Sequence, residues 1–346
     1  MKAKTNFSNI NIAVVGVGCM GLRHVHAIRR MGHSLAGVVD LSRHSLCEAK
    51  REHNLGHDLL FDNPEDLFAR VVPDCLIIAT TADSHCALTC MAAERGVKYI
   101  LVEKPMAVSI DECNMMIDSC AKFGALLSVN HQMRFMEQYS NPKAWLNSDG
   151  YGGLKSMTVV GGNFGMSMNG THYIEAFRYM TDEDPAEVTA WFDPGEVANP
   201  RGAQFKDRAG SIRVTNASGR RLYLEIGFEQ GHGIEVIYAG RNGLILVNEL
   251  TGNISATVRK CQFRELPTTR YGMPADITNQ TIAPAEVIDS TALVLSALLR
   301  NDNRVTPEQG AMAVKVLVAA YASAENGSRP VLIDNKLDRN RVFPWA

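Results

Sequence analysis

Three glycines near the start of the chain have the spacing of a loop that binds a dinucleotide. Gly16, Gly18 and Gly21 form the pattern G-x-G-x-x-G in "GVGCMG". The motif follows an apolar run and opens a helical pattern, and Asp40 stands at the end of the next apolar run. Glycines permit a tight turn and a close approach of the backbone to a diphosphate, whose charge a helix N-terminus stabilises. The spacing and its context therefore predict a dinucleotide site.

The acid at the end of the second apolar run bears on the choice of dinucleotide. Asp40 can accept hydrogen bonds from both ribose hydroxyls, and its charge repels a 2′-phosphate, which favours NAD over NADP. Arg43 is a contrary signal, because an arginine near this position can hold a 2′-phosphate, so NADP stays open as an alternative. Cys19 and Met20, which lie inside the glycine motif, are assigned to the cofactor site as well.

A second candidate for chemistry is a lysine between an acid and a proline. In "YILVEKPMAVS", Glu103 and Lys104 stand where an apolar run ends, and Pro105 follows them. Proline pushes the preceding residue toward an extended conformation, so Pro105 holds Lys104 in a defined direction. A reactive side chain can be mounted at the end of a strand in this way. The alternative interpretation is a strand edge with two solvated charges and a turn proline.

The elements that must position these residues alternate between strands and helices up to about residue 131. Apolar runs such as "INIAVV", "LAGVVD", "DCLIIAT" and "YILV" are separated by helical segments. Asn63 marks the start of one helix, and Ser109 with Glu112 forms a capping box at the start of another. Gly124 marks the end of that second helix. This alternation is typical of a parallel sheet covered on both faces. Residues 1–131 are therefore predicted to form a doubly wound α/β Rossmann domain that binds NAD(P).

After about residue 150 the pattern changes to successive strands. Segments such as "KSMTVVGGNF", "RRLYLEIGF" and "GIEVIYAG" alternate with a two-residue period, for example at Leu222 and Leu224, as expected for a sheet with one wet face. One helix, at about residues 170–180, and two long helices near the end of the chain are also indicated. Residues 132–346 are therefore predicted to form an α+β domain for substrate binding and oligomerisation, with a large, mostly antiparallel open sheet.

The composition argues against several classes of function. The 346 residues are 46% hydrophobic and 21% charged, with a formal net charge of −2, so no nucleic-acid partner is indicated. The longest apolar runs fall well short of a membrane span, and we expect a cytoplasmic protein without a membrane partner. The eight cysteines lack paired C-x-x-C spacing, which favours reduced core thiols over disulfides or a metal site.

The motifs resemble those of one family, the glucose-fructose oxidoreductase, inositol dehydrogenase and MocA group. "GVGCMGLRH" resembles its G-x-G-x-x-G-x-x-H opening, "ATTADSH" its segment after the middle strand, and "VEKPMAVS" its E-K-P element. "NHQMRF" is similar to the stretch that closes its nucleotide domain, and "NGTHYIEAFRYM" to its helix with an active-site histidine. The resemblance extends to the C-terminal helix and strand. It implies an NAD(P)-dependent dehydrogenase or reductase of sugars, cyclitols or nucleotide sugars.

The resemblance also implies roles for particular residues. Lys104 would lie near the nicotinamide and the substrate, and His172 would be the matching acid/base histidine. His24 matches a histidine that is structural or near the cofactor. The matching segments assign further residues to the cofactor site, namely Thr80, Thr81, His85 and Glu103.

The proton chemistry separates the roles of the two proposed catalytic residues. Hydride transfer from a carbinol carbon needs a group that takes the hydroxyl proton, because a developing alkoxide is too unstable to stay unprotonated. Histidine, with an ordinary pKa of about 6.5, suits this role at neutral pH. Lysine, with an ordinary pKa of about 10.4, must be shifted downward to act as a base, but its cation can polarise the substrate oxygen. We assign His172 as the general acid/base and Lys104 as the hydrogen-bond donor; the reverse assignment stays open.

One position departs from the family pattern. The family's helix usually has an aspartate four residues before the histidine, where this chain has Met168. Residues four apart on a helix share a face, and methionine cannot accept a hydrogen bond as a carboxylate does. A different pattern of substrate hydroxyls, or a polar group from elsewhere such as Glu175, is therefore implied. The candidate substrate residues are His131, Arg134, Asn163, Met168 and Asn169.

A basic run in the second half of the chain has two interpretations. Its four cations either form a solvated rim or clamp the diphosphate of a nucleotide sugar; they are Arg201, Lys206, Arg208 and Arg213.

Taken together, the patterns predict an NAD-dependent oxidoreductase that moves a hydride between nicotinamide and a carbinol carbon of a sugar, nucleotide sugar or cyclitol. The alternative is a non-catalytic dinucleotide-binding regulator on the same scaffold. Lys104 and His172 favour the enzyme, whereas Met168 keeps the regulator open.

The second sheet also predicts self-association. The alternating strands of this sheet place some apolar residues on its outer face, among them Tyr223, Val236 and Ile237. Such a face carries more apolar surface than an open face tolerates. A second copy would bury that face, so we expect a homodimer or homotetramer.

Overall fold

A computed structural model describes residues 9–162, 164–227, 229–266 and 274–346. In this part of the chain, no helix combines the length and the apolar character that crossing a membrane requires. The chain divides into two compact units. The first contains the residues up to Gln132 together with Glu286–Ala311, and the second contains Met133–Ala285 and Met312–Ala346.

A parallel sheet forms the centre of the first unit. Its strands, in chain order, are β1 (Asn11–Val15), β2 (Ser34–Val39), β3 (Leu60–Phe61), β4 (Cys75–Ile78), β5 (Tyr99–Val102) and β6 (Leu126–Val129). Within the described residues the strands lie in the order β3-β2-β1-β4-β5-β6, and every pair is parallel. The predicted doubly wound sheet is confirmed. Its strand order reverses between β1 and β4, and sheets of this kind bind ligands outside the carboxyl ends of their strands at that point.

Helices connect these strands, and the helices that follow Asn63 and Ser109 start where the sequence predicts. The connecting helices are α1 (Cys19–Arg30), α2 (Arg43–His53), α3 (Pro64–Arg70), α4 (Ala82–Glu94) and α5 (Ile110–Phe123). Ser109 Oγ accepts the N–H of Glu112 at 3.1 Å and so caps α5. The Glu112 carboxylate accepts the N–H of Val108 at 3.2 Å, one residue before the position that a capping box uses. Gly124 ends α5 in the left-handed region, with φ 73°.

The second unit is built on a larger sheet. Its elements up to residue 281 are α6 (Glu137–Leu146), β7 (Leu154–Gly162), α7 (Thr171–Thr181), β8 (Pro185–Phe192), β9 (Gly210–Asn216), β10 (Arg221–Gly227), β11 (Glu235–Gly240), β12 (Gly243–Asn248), β13 (Asn253–Arg259) and β14 (Ala275–Thr281). Three elements follow, namely α8 (Val287–Leu299), α9 (Pro307–Glu325) and β15 (Val331–Leu332). By residue, α8 belongs to the first unit, and α9 has residues in both.

The sheet of the second unit is mostly antiparallel, as predicted. In the described residues its order is β14-β13-β12-β11-β7-β10-β9-β8-β15, and β7 and β10 form its parallel pair. One face carries the core, with Leu222 and Leu224 of β10 opposite Met157 and Val159 of β7, all buried. Helix α7 packs against β7 and β10 on this sheet. The large open sheet of an α+β unit is therefore confirmed.

The outer face of this sheet differs from the prediction at one residue. Val236 is fully buried, because it pairs with Val159 in a row on the core face. Tyr223 and Leu246 are exposed, and Ile237 is half-buried. These three side chains belong to one cross-strand row, in which Thr158 lies between Tyr223 and Ile237, and Leu246 lies opposite Ile237. The outer apolar surface is therefore real, but Val236 does not contribute to it.

Candidate functional site

The carboxyl edge of the parallel sheet brings together most of the predicted cofactor residues. Gly16 follows β1, Asp40 follows β2, and Glu103 follows β5. Backbone bonds continue the sheet ladder past the strand ends, from Gly16 N to Val39 O at 2.8 Å and from Glu103 N to Ile78 O at 2.9 Å. The glycine turn, the acid and the E-K-P element are therefore fixed along a single edge of this sheet.

The glycine turn has the geometry that a dinucleotide loop requires. Gly16 has φ 86°, and a Cβ there would lie 2.7 Å from the carbonyl oxygen of Ala79. A Cβ on Gly21 would lie 1.9 Å from the carbonyl oxygen of Gly16, so only glycine lets α1 pack this closely on the turn. At Gly18 a Cβ would meet no atom within 4 Å. The outer side of the turn is therefore open, where a diphosphate can approach.

The start of α1 is suited to an anionic group. Gly18 is its N-cap, and in the described chain no side chain caps this helix start and no acid lies in its first turn. Cys19 is exposed and Met20 is half-exposed in that turn. Unpaired N–H groups at a helix start bind phosphate well. The turn and the helix start together fit the diphosphate of NAD.

Asp40 lies beside this turn and supports it. Its Oδ2 accepts the N–H of Val17 at 2.8 Å, and its Oδ1 accepts the N–H of Ser42 at 2.8 Å. A carboxylate has about four acceptor positions, so two bonds leave room for ribose hydroxyls. Arg43 is exposed as the first residue of α2. Asp40 therefore has both the position and the acceptor capacity that NAD needs.

The threonines after β4 lie at the start of the next helix. Thr81 is the N-cap residue of α4, and Thr80 accepts a hydrogen bond from Ser84 Oγ at 2.7 Å. Both threonines are half-buried. They follow the strand next to β1, so they border the same edge as the glycine turn.

His85, which the sequence analysis assigns to the cofactor site, lies inside the first unit. Its side chain is fully buried, with Nδ1 3.1 Å from the carbonyl oxygen of Pro105 and Nε2 3.2 Å from that of Thr80. Burial lowers the pKa of His85, although these carbonyl contacts favour the charged form. The imidazole thus joins the segment after β4 to the segment after β5. The buried position of His85 gives it a structural contact between these two segments.

Glu103 also points inward, into a buried polar network. Its Oε1 lies 2.8 Å from Nε2 of His24 and accepts Nδ2 of Asn130 at 2.7 Å. The Asn130 amide also lies 3.4 Å from Oγ1 of Thr291 on α8. Burial raises the pKa of Glu103, but the hydrogen bond and charge of His24 outweigh it, and the pKa falls to about 2. The network links the segments after β5 and β6 to α1 and α8.

Lys104 stands directly after this anchored glutamate. It is half-buried, its N–H lies 3.4 Å from Oε2 of Glu103, and a cis peptide bond joins it to Pro105. His131, after β6, is almost fully buried, and its N–H donates to Val129 O at 2.7 Å. The lysine is thus presented at the carboxyl edge from a braced backbone, whereas His131 lies in the interior of the unit.

The predicted substrate residues of the second unit surround the start of α7. Met168 and Asn169 lie in a π-helical turn, Met166–Gly170, that leads into this helix, and both are half-buried. His172 is the second residue of α7 and is also half-buried. Asn163 lies outside the described residues. Met168 and His172 are four residues apart along this helical segment.

Arg134 is part of a buried ion pair. Its guanidinium donates to the carboxylate of Glu175 on α7, and both side chains are buried. The ring of Tyr179 lies 5.8 Å from the same guanidinium. Removal of one partner would leave a buried charge uncompensated and would lower the free energy of unfolding. The pair therefore fixes the segment after β6 to α7 within the second unit. Arg134 and Glu175 are therefore placed to hold the helix of His172.

The sequence pattern missed an aspartate at the start of that helix. Asp207 is buried, with 1% of its surface exposed, and its carboxylate accepts the N–H groups of Ser167 and Met168. Burial raises the pKa of Asp207, and these backbone bonds oppose the rise. No local signal marks this residue, because it stands in a basic run distant in sequence from α7.

A second acid that the sequence pattern missed anchors Tyr173, the residue after His172. Tyr173 Oη donates to Glu249 Oε2 at 2.8 Å, and Tyr139 donates to the other carboxylate oxygen. Burial raises the pKa of Glu249. This cluster joins α6 and α7 to the end of β12.

Two cations of the basic run have side-chain partners within the protein. Lys206 pairs with Glu196 at 3.1 Å, Arg208 Nη2 donates to the carbonyl oxygen of Asp193 at 2.8 Å, and Arg213 lies opposite Thr189 within the sheet. Arg201 is exposed. These contacts favour the rim interpretation over a diphosphate clamp.

Comparison with known proteins agrees with the geometry of the first unit. Residues 10–131 match the model of an oxidoreductase family with an NAD-binding Rossmann fold. The chain is 24% identical to the inositol 2-dehydrogenase of Serratia proteamaculans over 267 residues, 69% of this chain and 74% of that protein. It is 30% identical to the D-glucoside 3-dehydrogenase of Escherichia coli over 138 residues, 39% of this chain and 38% of that protein.

Solved structures agree over almost the full length. An oxidoreductase from Agrobacterium radiobacter, crystallised with NAD+, L-tartaric acid and magnesium, superposes with a TM-score of 0.76 and 20% identity. The match covers 94% of this chain and 99% of that one and shows a common fold. The matched Rossmann segment and the dehydrogenase relatives identify an NAD-binding oxidoreductase. Residues 10–131 therefore form an NAD-binding Rossmann domain of the glucose-fructose oxidoreductase, inositol dehydrogenase and MocA family.

Proposed function

We propose that the protein is an NAD-dependent dehydrogenase that oxidises a secondary hydroxyl of a sugar, a cyclitol or a nucleotide sugar, or reduces the matching ketone. The observation that carries this proposal is the carboxyl edge of the parallel sheet. There the glycine turn and Asp40 fit NAD. Lys104 follows β5, which lies two strands from β1, and the buried contacts of Glu103 hold its backbone in place. The inositol and glucoside dehydrogenases among the relatives support a polyol substrate.

Different residues of the chain bind the different parts of NAD. The N–H groups of the glycine turn and of the first turn of α1 bind the diphosphate, and Asp40 accepts the ribose hydroxyls. Bound NAD supplies a hydride acceptor at the nicotinamide. Thr80 and Thr81 border the bound dinucleotide. Glu103 and His85 act behind this surface and hold the segment of Lys104.

Two residues are proposed to act on the substrate hydroxyl. His172 takes the proton as the carbinol is oxidised and returns it in the reverse direction. Lys104 donates a hydrogen bond to the same oxygen and stabilises its developing negative charge. The half-buried positions of both side chains support these roles, because a group that reaches substrate must be neither sealed in the core nor fully solvated. The exchange of the two roles stays open as the alternative.

Substrate choice is proposed to differ from that of relatives with an aspartate at position 168. The half-buried thioether of Met168 offers no strong acceptor, so a substrate without a hydroxyl at the matching position fits it better. Asn169 is the polar neighbour on the same turn.

Self-association and location complete the proposal. We propose that a second copy covers the outer face of the second sheet, which exposes Trp191, Tyr223, Leu244 and Leu246. Two-fold pairing of identical faces is the usual solution for such a surface.

All eight cysteines are free thiols, which fits a reducing compartment such as the cytoplasm.

The proposal is tested with a panel of sugars, cyclitols and nucleotide sugars, in which NADH absorbance is followed with NAD in excess. We expect turnover with at least one member that has a secondary hydroxyl. NAD binding by calorimetry with no turnover across the panel, in either direction, would contradict the dehydrogenase and is the result that a dinucleotide-binding regulator predicts.

The two proposed catalytic residues are tested on the substrate so found. Lys104→Ala and His172→Ala should each lower kcat by about 100-fold or more while NAD affinity stays near native, as expected for groups that act on the substrate. The exposed Lys98→Ala and His44→Ala are matched controls with near-native kcat. Near-native turnover of either catalytic variant would remove that residue from the proposed mechanism.

A further inference from the structure

Near the end of the loop between β8 and β9, two residues bind three successive N–H groups of the helix start. Asp207 Oδ1 accepts from Ser167 N at 3.0 Å, and Asp207 Oδ2 accepts from Met168 N at 2.8 Å. The carbonyl oxygen of Arg208 accepts from Met166 N at 2.8 Å. The first N–H groups of a helix have no partner within it, so this contact from a distant loop completes the helix start.

The contact is close and specific. A Cβ on Gly165 would lie 2.0 Å from Asp207 Oδ2, so only glycine admits the carboxylate at this position. Asp207 Oδ1 also accepts the N–H of Arg208 at 2.8 Å, and therefore both oxygens of the carboxylate face N–H donors. An asparagine in either orientation would turn its NH2 group toward one of these donors.

The loop that carries Asp207 is itself held in place. Val197 N donates to Asp207 O at 2.9 Å, and Lys206 N donates to Pro344 O in the C-terminal segment at 2.7 Å. Arg208 Nη2 reaches the carbonyl oxygen of Asp193, at the other end of the loop, at 2.8 Å. The carboxylate is therefore a fixed point to which the helix start is attached.

We propose that Asp207 is a positioning residue for His172, and this inference rests on the proposed role of His172 in catalysis. Through the N–H groups of Ser167 and Met168, Asp207 sets the rotation of the helical segment from which His172 projects one turn later. Residues four apart share a helix face, so a shift at Met168 is carried to His172. A displacement of about 1 Å in a group that acts on substrate can cost about 100-fold in rate.

This role also bears on the methionine at position 168. The carboxylate of Asp207 binds the backbone of Met168 and not a group on its side chain. The acid thus fixes the turn while the thioether forms the surface that the turn presents. Asp207 therefore fixes the backbone of this segment, but the side chain at position 168 is still a thioether and not a carboxylate.

The test uses Asp207→Asn, which keeps the size of the side chain and removes one acceptor. Its matched control is Asp302→Asn, since Asp302 accepts the backbone N–H of Arg304 at 2.9 Å in the first unit. Hydrogen exchange of the Ser167 and Met168 amides should speed up about tenfold or more in Asp207→Asn, because a neutral amide replaces the charged acceptor that both amides face. The ring signals of His172 in NMR spectra, assigned by their loss in His172→Ala, should move. Asp302→Asn should leave both unchanged.

Kinetics then separates positioning from general stabilisation. Asp207→Asn should lower kcat about 10- to 100-fold, with a near-native KM for NAD. In the His172→Ala background the same substitution should lower kcat by no more than about twofold, because its effect acts through the imidazole that is already absent. Equal losses in the two backgrounds would overturn the proposal, as would native exchange rates and an unmoved His172 signal.

Two further results are informative. If Asp207→Asn does not fold, Asp207→Ser, which keeps an N-cap acceptor, takes its place in every comparison. If neither folds, Asp207 is a stability residue and the positioning role is rejected. If the native protein turns over no substrate, the proposed dehydrogenase fails on that result alone. The exchange rates and the His172 signals then still decide whether Asp207 orders this turn.

Discussion

The imidazole of His24 on α1 and the carboxylate of Glu103 after β5 form a buried pair, with Nε2 and Oε1 2.8 Å apart. Asn130 donates to the same carboxylate oxygen, and Lys104 follows Glu103 directly in the chain. The pair thus attaches the lysine segment to the helix that starts at the glycine turn. It gives the acid before this lysine a structural role, since the acid fixes the backbone that carries the lysine.

Glu103→Gln should therefore weaken the fold and its acid stability together. The loss of a charged hydrogen bond should lower the free energy of unfolding by about 1.5–3 kcal/mol near neutral pH, measured by urea denaturation. The pKa of Glu103 lies at about 2 in the folded state against an ordinary 4.5. Its stabilising contribution is present in full above pH 4.5 and is lost as the pH falls toward 2.

The acid dependence of the variant gives the sharper comparison. Between pH 4.5 and 2, the native protein should lose more stability than Glu103→Gln, whereas the exposed Glu94→Gln should follow the native curve. Identical curves for native protein and Glu103→Gln would show that the carboxylate is not held in its ionised form.

Gly18 and Gly21 should respond differently to the same substitution. Gly21→Ala places a Cβ against the carbonyl oxygen of Gly16 and should destabilise the fold, whereas Gly18→Ala finds open space in the protein. We therefore expect Gly18→Ala to change the free energy of unfolding by less than about 0.5 kcal/mol. It should still weaken NAD binding about tenfold or more, because the added methyl occupies the approach to the diphosphate. Native NAD affinity in a folded Gly18→Ala, by calorimetry, would argue against a dinucleotide at this turn.

Asp40 should set the preference for NADH over NADPH. The native protein should bind NADH more tightly, and Asp40→Ala should reduce that preference about tenfold, the factor expected for losing bonds to a charged acceptor. Asp40→Asn separates the two causes, since it keeps an acceptor for Val17 N but removes the charge that repels a 2′-phosphate. Equal or tighter binding of NADPH to the native protein would remove the argument from Asp40 and leave Arg43 as the determinant.

The outer face of the second sheet should mediate self-association. Sedimentation equilibrium at micromolar concentration should give twice or four times the chain mass of 37.9 kDa. Leu246→Lys introduces a charge beside Ile237 in the exposed row and should dissociate the assembly, while Leu41→Lys, at an exposed leucine of the first unit, should not. A native protein that sediments as a single chain would exclude this association.

Much of the fold was predictable because local patterns decide it. The capping of α3 by Asn63 and of α5 by Ser109 follows from short-range hydrogen bonds that the sequence displays. Strands β1, β4 and β5 of the parallel sheet are apolar runs that are buried along almost their whole length. Two strands of the second sheet were missed. Strand β14 carries few apolar residues and is mostly exposed, whereas β13 alternates apolar Ile254, Ala256 and Val258 with polar residues, a signal that the prediction did not use. Helix α6 was missed as well; it contains Pro142, which a helical pattern normally excludes.

The candidate site was predictable only where a motif marks it. The glycine turn, Asp40 and Lys104 were found through spacing and chain position. The inward direction of Glu103 and His85 could not be read from the sequence, because it depends on partners such as Asn130 that lie far along the chain. Asp207 was missed for the same reason, since its bonds to the start of α7 cross about 40 residues.

The transfer of the hydride itself is the most direct measurement of the proposed function. The substrate found in the panel is prepared with deuterium on the carbon that bears the oxidised hydroxyl and is incubated with NAD, and the reduced dinucleotide is examined by mass spectrometry. We predict NADH that carries one deuterium, with the rate reduced about 100-fold or more in Lys104→Ala and His172→Ala. NADH formed without deuterium, or no NADH from any substrate although NAD binds, would contradict the account.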